Sequence, residues 1–163
     1  MKKLLLFVLL LATSCSAIVE KPQVSLKEAR FAGLDSEGVS IDFLLTVANP
    51  NSFDLPLNGY VYDVRLMALP LARGESRNSV TFGGKSATDM LIPVRISYSD
   101  VMEILKRRPN LKEIPYQLNA KLDVGTPVGN VKVPVSKDGV LSVPEHYRPG
   151  NLLRQLGGFL KGT

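Results

Sequence analysis

The chain has one cysteine, one histidine and no tryptophan among its 163 residues. A lone cysteine cannot close an intramolecular disulfide, and one cysteine with one histidine falls short of the three or four ligands of a Cys/His zinc site. A glycine-rich phosphate loop is missing as well. Gly83-Gly84-Lys85-Ser86 has the right last residues, but Ser79 stands where the first glycine of such a loop belongs. No serine or cysteine sits in a recognisable nucleophile context, and the acidic residues are scattered singly rather than gathered into an oxygen-ligand loop. Glu145-His146 is the nearest thing to an acid–base pair, yet neighbours in extended chain point to opposite sides. The expectation is a protein without catalytic residue, cofactor or metal.

Charge of one sign is also absent from most of the chain. The formal charge of +5 comes from two places outside the centre: Lys2 and Lys3 at the start, and Arg148, Arg154 and Lys161 at the end. Residues 15–145 carry fifteen basic and fifteen acidic side chains and are neutral. A nucleic-acid partner, which a basic stripe would suggest, is therefore not expected. With 45% hydrophobic and 21% charged residues, the chain is suited to one folded domain rather than to disorder.

The apolar run Leu4 to Leu11 follows Met1-Lys2-Lys3 and is eight residues long. A membrane-spanning helix needs about 20, so the pattern is that of a secretion signal. Leu11-Ala12-Thr13-Ser14-Cys15 resembles the lipobox of bacterial lipoproteins, with Ala12 in a place where a bulkier residue is usual. That resemblance implies removal of residues 1–14 and acylation of Cys15, with the protein held in the cell envelope. Ser16 is compatible with the outer membrane, facing the periplasm, in a Gram-negative cell. An ordinary signal cut after Ala17 is the alternative. Two or three acyl chains on one residue would hold the protein at a membrane for long periods, since each buried methylene contributes about 0.8 kcal/mol.

Residues 15–23 are read as a tether and residues 24–145 as the folded domain. Three long stretches alternate apolar and polar residues with period two. They are Val39 to Ala48; Asp89 to Tyr98 with Met90, Ile92, Val94, Ile96 and Tyr98 inward; and Ile114 to Val124. Pro93 cannot donate to a ladder and belongs on an edge or at a non-bonding position. Shorter strands are expected at Val24–Phe31, Leu57–Met67, Val80–Phe82, Val131–Val135 and Val140–Val143. Turns are expected at Asn58-Gly59, Arg73-Gly74, Gly83-Gly84, Gly125-Thr126-Pro127 and, as a two-residue hairpin, Asp138-Gly139. One helix, about 99–108, starts with Asp100 as N-cap and stops at Pro109. The fold class is thus mainly β: an antiparallel β-sandwich of seven or eight strands with one short helix.

Asn49-Pro50-Asn51 ends the first long strand, where Asn-Pro starts a turn and Asn51 can take a left-handed conformation or bond its own backbone. The ordered series Val47-Ala48-Asn49-Pro50-Asn51, Leu55-Pro56, Tyr60 to Leu66, Leu71-Ala72-Arg73-Gly74 and Leu91 to Ile96 resembles the type 2 late-embryogenesis-abundant family, also called the water-stress and hypersensitive-response domain. The resemblance spans roughly Val24 to Val124. It implies an immunoglobulin- or fibronectin-III-like sandwich, a stress or desiccation role, and no catalytic residue.

Residues 146–163 form a basic tail in which Leu152, Leu153, Leu156, Phe159 and Leu160 have the spacing of one helical face, with Arg154 and Lys161 away from it. It is read as a short helix folded back on the sandwich or as an amphipathic contact with membrane or partner. Two functions remain in view. One is an envelope lipoprotein whose sandwich binds a protein partner or protects against water stress; the other is a carrier of lipid or another small apolar ligand. The apolar content is no greater than a dry core needs.

Overall fold

In the computed structural model, residues 19–77 and 79–148 are described. They form two antiparallel sheets packed face to face. One has the order β1 (Gln23–Leu34), β2 (Gly38–Asn49) and β6 (Ser86–Ser97). The other has the order β4 (Leu69–Ser76), β3 (Leu55–Leu66), β7 (Ile114–Thr126) and β8 (Gly129–Leu141), with β5 (Val80–Phe82) also paired to β3. The expected sandwich is therefore present, with eight strands.

Alternation dictates which face is inside. Ile41, Phe43, Leu45 and Val47 of β2, Ile92, Val94 and Ile96 of β6, and Leu118 and Leu122 of β7 are buried between the sheets. Each such side chain contributes about 1.5–3 kcal/mol by leaving water, so these three strands supply most of the core. Pro93 lies on β6, an edge strand paired only with β2, the kind of strand in which a residue without an amide is tolerated.

Three glycine signals mislead. Asp138-Gly139 is not a hairpin: β8 runs straight through it, with Asp138 opposite Gln117 and Gly139 opposite Tyr116. The reversal between β7 and β8 lies at residues 126–129, where the Gly125-Thr126-Pro127 turn was expected, with Gly129 at φ +119°. Gly139 is there because the Tyr116 ring lies over it; a Cβ would meet the phenol oxygen at 2.7 Å. Arg73-Gly74 is likewise inside a strand, β4, and a Cβ on Gly74 would meet the Tyr62 phenol at 2.5 Å. Asn58-Gly59 marks a register shift within β3, not a turn.

The turn that does make the β3–β4 hairpin is Met67-Ala68, both left-handed at φ +51° and +63°. Neither residue favours that region, so no turn was legible there. The Met67 amide donates to the Pro115 carbonyl at 2.9 Å, and Arg107 donates to the Met67 carbonyl at 3.3 Å, holding the turn in place.

Helix α1 spans Tyr98–Lys106. Its N-cap is Ser97, not Asp100: the Asp100 amide donates to the Ser97 hydroxyl at 3.3 Å, and Ser97 donates back to the Asp100 carboxylate at 2.7 Å. Tyr98, expected inward on the strand, opens the helix and is 42% exposed. Ile104 is the buried residue of this helix. After the C-cap Arg107, Arg108 turns to φ +50° and Pro109 prevents continuation.

The two ends of the sandwich differ. At one end Asn49 faces Ser86 and donates to the Phe82 carbonyl of β5, and Gly125 lies against Pro56 just before the 126–129 turn; at the other, Gly38 faces Ser97 and α1 covers the gap between the sheets.

Candidate functional site

Asn49 and Asn51 are the buried polar side chains among the described residues, at 2% and 5% exposed. Burying an amide is tolerable only if its donors and acceptors are met, and here they are. Asn49 donates through Nδ2 to the carbonyls of Phe53 at 2.8 Å and Phe82 at 3.0 Å. Its Oδ1 accepts from the Asn51 amide at 3.0 Å and from Asn51 Nδ2 at 2.9 Å. Asn51 Nδ2 also donates to the Glu20 carbonyl at 2.8 Å, while Asn51 Oδ1 accepts the Glu20 amide at 2.9 Å. The chain turns after Asn49-Pro50 as expected, but Asn51 is not left-handed and its carboxamide bonds Glu20 rather than its own backbone. Its carboxamide imitates a strand partner for Glu20. The network ties the start of the folded chain, the 49–54 loop and β5 into one unit, and its groups are spent on each other rather than offered to a ligand.

The opposite end carries a cavity of about 280 Å³ between the sheets and beneath α1. Phe31, Ile41, Leu66, Ile104, Leu141 and Tyr147 are among its lining residues, and the only polar side-chain atoms of the lining are the hydroxyls of Tyr98 and Tyr147. Tyr98 donates its hydroxyl to the Asp35 carbonyl, pinning the start of α1 to the β1–β2 turn. Phe31 and Tyr147 rings close the β1 side with centroids 4.7 Å apart. Met102 and Leu34 at the rim are 56% and 46% exposed. The volume lies near the lower limit of ligand pockets, which suits a small or slender apolar molecule. Composition did not foretell this space, because a void depends on how α1 spans the sheets and not on the number of apolar residues.

Charged groups outside the cavity pair across strands. The Asp89 carboxylate receives Lys27 at 2.6 Å and Thr46 at 2.7 Å, linking all three strands of its sheet; Lys27 first and Thr46 second hold its pKa below the usual value. Asp35 is also lowered, chiefly by the Glu37 amide and further by the Gly38 amide and Arg95. Burial raises the phenols of Tyr62 and Tyr116. His146 is exposed in the short 3-10 turn Glu145–Tyr147, its ring 4.0 Å from that of Tyr147, while the Glu145 carboxylate faces Arg148 at 3.4 Å. Among the described residues there is no group of three or more His, Cys, Asp or Glu placed to hold a metal ion. Cys15 and Leu152, Leu153, Arg154, Leu156, Phe159, Leu160 and Lys161 lie outside the described residues.

A two-sheet sandwich with a buried asparagine pair at one end and a helix across the other defines the class, and comparison with known families agrees. The model of the late embryogenesis abundant protein family, type 2, matches residues 44–139, and the chain belongs to that family. It is 26% identical over 129 residues to a desiccation-related protein of Arabidopsis thaliana, covering 78% of each chain. To the late embryogenesis abundant protein Lea14-A of Gossypium hirsutum it is 25% identical over 129 residues, covering 78% of this chain and 85% of the cotton protein. Among solved structures it is similar to the solution structure of an Arabidopsis thaliana protein, with TM-score 0.68 and 21% identity over 80% of this chain and 87% of the other. A proposed late embryogenesis abundant protein of Arabidopsis thaliana gives TM-score 0.63 and 25% identity over 88% of this chain and 83% of that one.

Proposed function

We propose that this chain is a non-catalytic envelope lipoprotein, anchored through acylated Cys15, whose sandwich protects the envelope or a protein partner in it when water is withdrawn. The observation that carries the protective role is membership of a family whose relatives are named for desiccation. The anchor rests on the basic start, the eight-residue apolar run and Leu11-Ala12-Thr13-Ser14-Cys15. A sandwich whose two buried asparagines spend their hydrogen-bonding groups within the fold fits a binding or protective module.

Incorporation of labelled palmitate tests the anchor. Label is expected in the native sequence and absent from Cys15→Ala; label in both, or in neither, overturns it. Survival of cells through air-drying and rewetting tests the role: loss of the protein should lower survival, and equal survival with and without it removes the protective reading.

The cavity under α1 favours a second reading, a carrier of a lipid chain or other small apolar ligand. Native mass spectrometry of gently extracted protein separates the two. A carrier retains a stoichiometric apolar molecule in addition to its own acyl groups, and a purely protective module does not.

A further inference from the structure

We infer that the end of the sandwich bearing Asn51 and the 126–129 turn lies against the anchoring bilayer, and that the apolar cavity opens away from it. This rests on the acylation of Cys15 proposed above. The membrane's position then follows from where the chain leaves the fold. Asn51 fixes both backbone groups of Glu20, at 2.9 and 2.8 Å, and three residues later Gln23 enters β1 opposite Ala48. From Glu20 back to Cys15 the chain spans five residues, which reach at most about 18 Å. β6 runs twelve residues from Ser86 beside Asn49 to Ser97 beside α1, a length of roughly 40 Å. The tether is therefore shorter than the domain, and the end at which it leaves is held nearest the lipid.

That end has a surface suited to the interface. Gly125 lies against Pro56, so the 126–129 turn projects beside the 49–54 loop, and Val128 at its tip is 72% exposed. Four exposed charges near the chain's exit balance, Lys21 and Lys85 against Glu20 and Asp54. The acyl anchor and the apolar tip set the orientation, so it should hold in zwitterionic lipid. The functional consequence concerns the cavity. Its rim, with Met102 on α1, stands at the far end, so an apolar ligand would be exchanged with the aqueous side or with a partner there, not drawn directly from the anchoring leaflet.

The test uses full-length protein exported by cells, extracted in detergent and reconstituted in phosphatidylcholine vesicles carrying an energy-transfer acceptor on the headgroup. The donor dye is placed at Val128→Cys or Met102→Cys, with Cys15 blocked by its own acyl groups, and intact mass reports acylation. Transfer several-fold stronger at position 128 than at 102 is expected. Equal transfer, or stronger transfer at 102, in protein whose mass shows the acyl groups overturns the orientation. A mass without them overturns the anchor itself, and the orientation through its premise. Asn51→Ala should bring the two signals closer together by freeing Glu20, with an unchanged circular-dichroism spectrum; a ratio that stays at the native value overturns the role of the clamp.

Discussion

Asn49 accepts two hydrogen bonds on one oxygen, from the Asn51 backbone amide at 3.0 Å and from the Asn51 carboxamide at 2.9 Å. Pro50 between them fixes one backbone angle of the turn, so the two carboxamides meet at low entropic cost. Because Asn49 also serves Phe53 and Phe82 while Asn51 serves Glu20, each side chain supports contacts the other does not make.

Asn49→Ala and Asn51→Ala should each destabilise the domain by about 1–3 kcal/mol, because each leaves buried groups unmet. The double variant should cost less than the sum, with a coupling of about 0.5–3 kcal/mol. Urea unfolding of the four proteins measures it, and strict additivity contradicts the network.

Gly139→Ala should destabilise by about 1–3 kcal/mol, since the new Cβ meets the ring of Tyr116, which is 7% exposed. Tyr116→Leu in the same chain should make the alanine better tolerated. A Gly139→Ala protein as stable as the native one shows that the ring does not require glycine beneath it.

Ala68→Gly should raise stability by about 1 kcal/mol, because alanine at φ +63° is strained and glycine is not. Thermal unfolding reads the change, and a lower midpoint contradicts the strain assigned to this turn.

Ile104→Ala should cost about 2–5 kcal/mol and enlarge the cavity beneath α1. Binding of a fluorescent fatty acid should strengthen or accommodate a bulkier chain in the variant. Unchanged probe binding in both respects places the probe elsewhere.

The Asp89 carboxyl should titrate below the ordinary value of 3.8, because Lys27 and Thr46 favour its ionised form. Its folded pKa is depressed, so its contribution to stability is present above the unfolded value and is lost as pH falls through the folded one. Carboxyl NMR titration reads the value, and Thr46→Val should move it upward; a normal value in the native protein contradicts the pairing.

Much of the fold was legible because burial on one face leaves a period-two pattern. Val39 to Ala48, Met90 to Ile96 and Ile114 to Val124 show it, and all three are strands. Asn49-Pro50-Asn51 was legible as the end of a strand. What failed was the reading of glycine at positions 59, 74 and 139. Gly74 and Gly139 signal a reversal to local rules, but each answers to a tyrosine on the neighbouring strand. β4 was missed because Met67-Ala68 turns without a turn residue, held from outside by Pro115 and Arg107.

The sequence by itself determined the neutral charge of residues 15–145 and the two-sheet β architecture, since these reside in composition and periodicity. Tertiary structure alone decided that Asn51 clamps Glu20 thirty-one residues away and that α1 roofs an apolar cavity at the far end. Both depend on which residues the paired strands bring together, and strand pairing is a relation between distant segments that no local pattern contains.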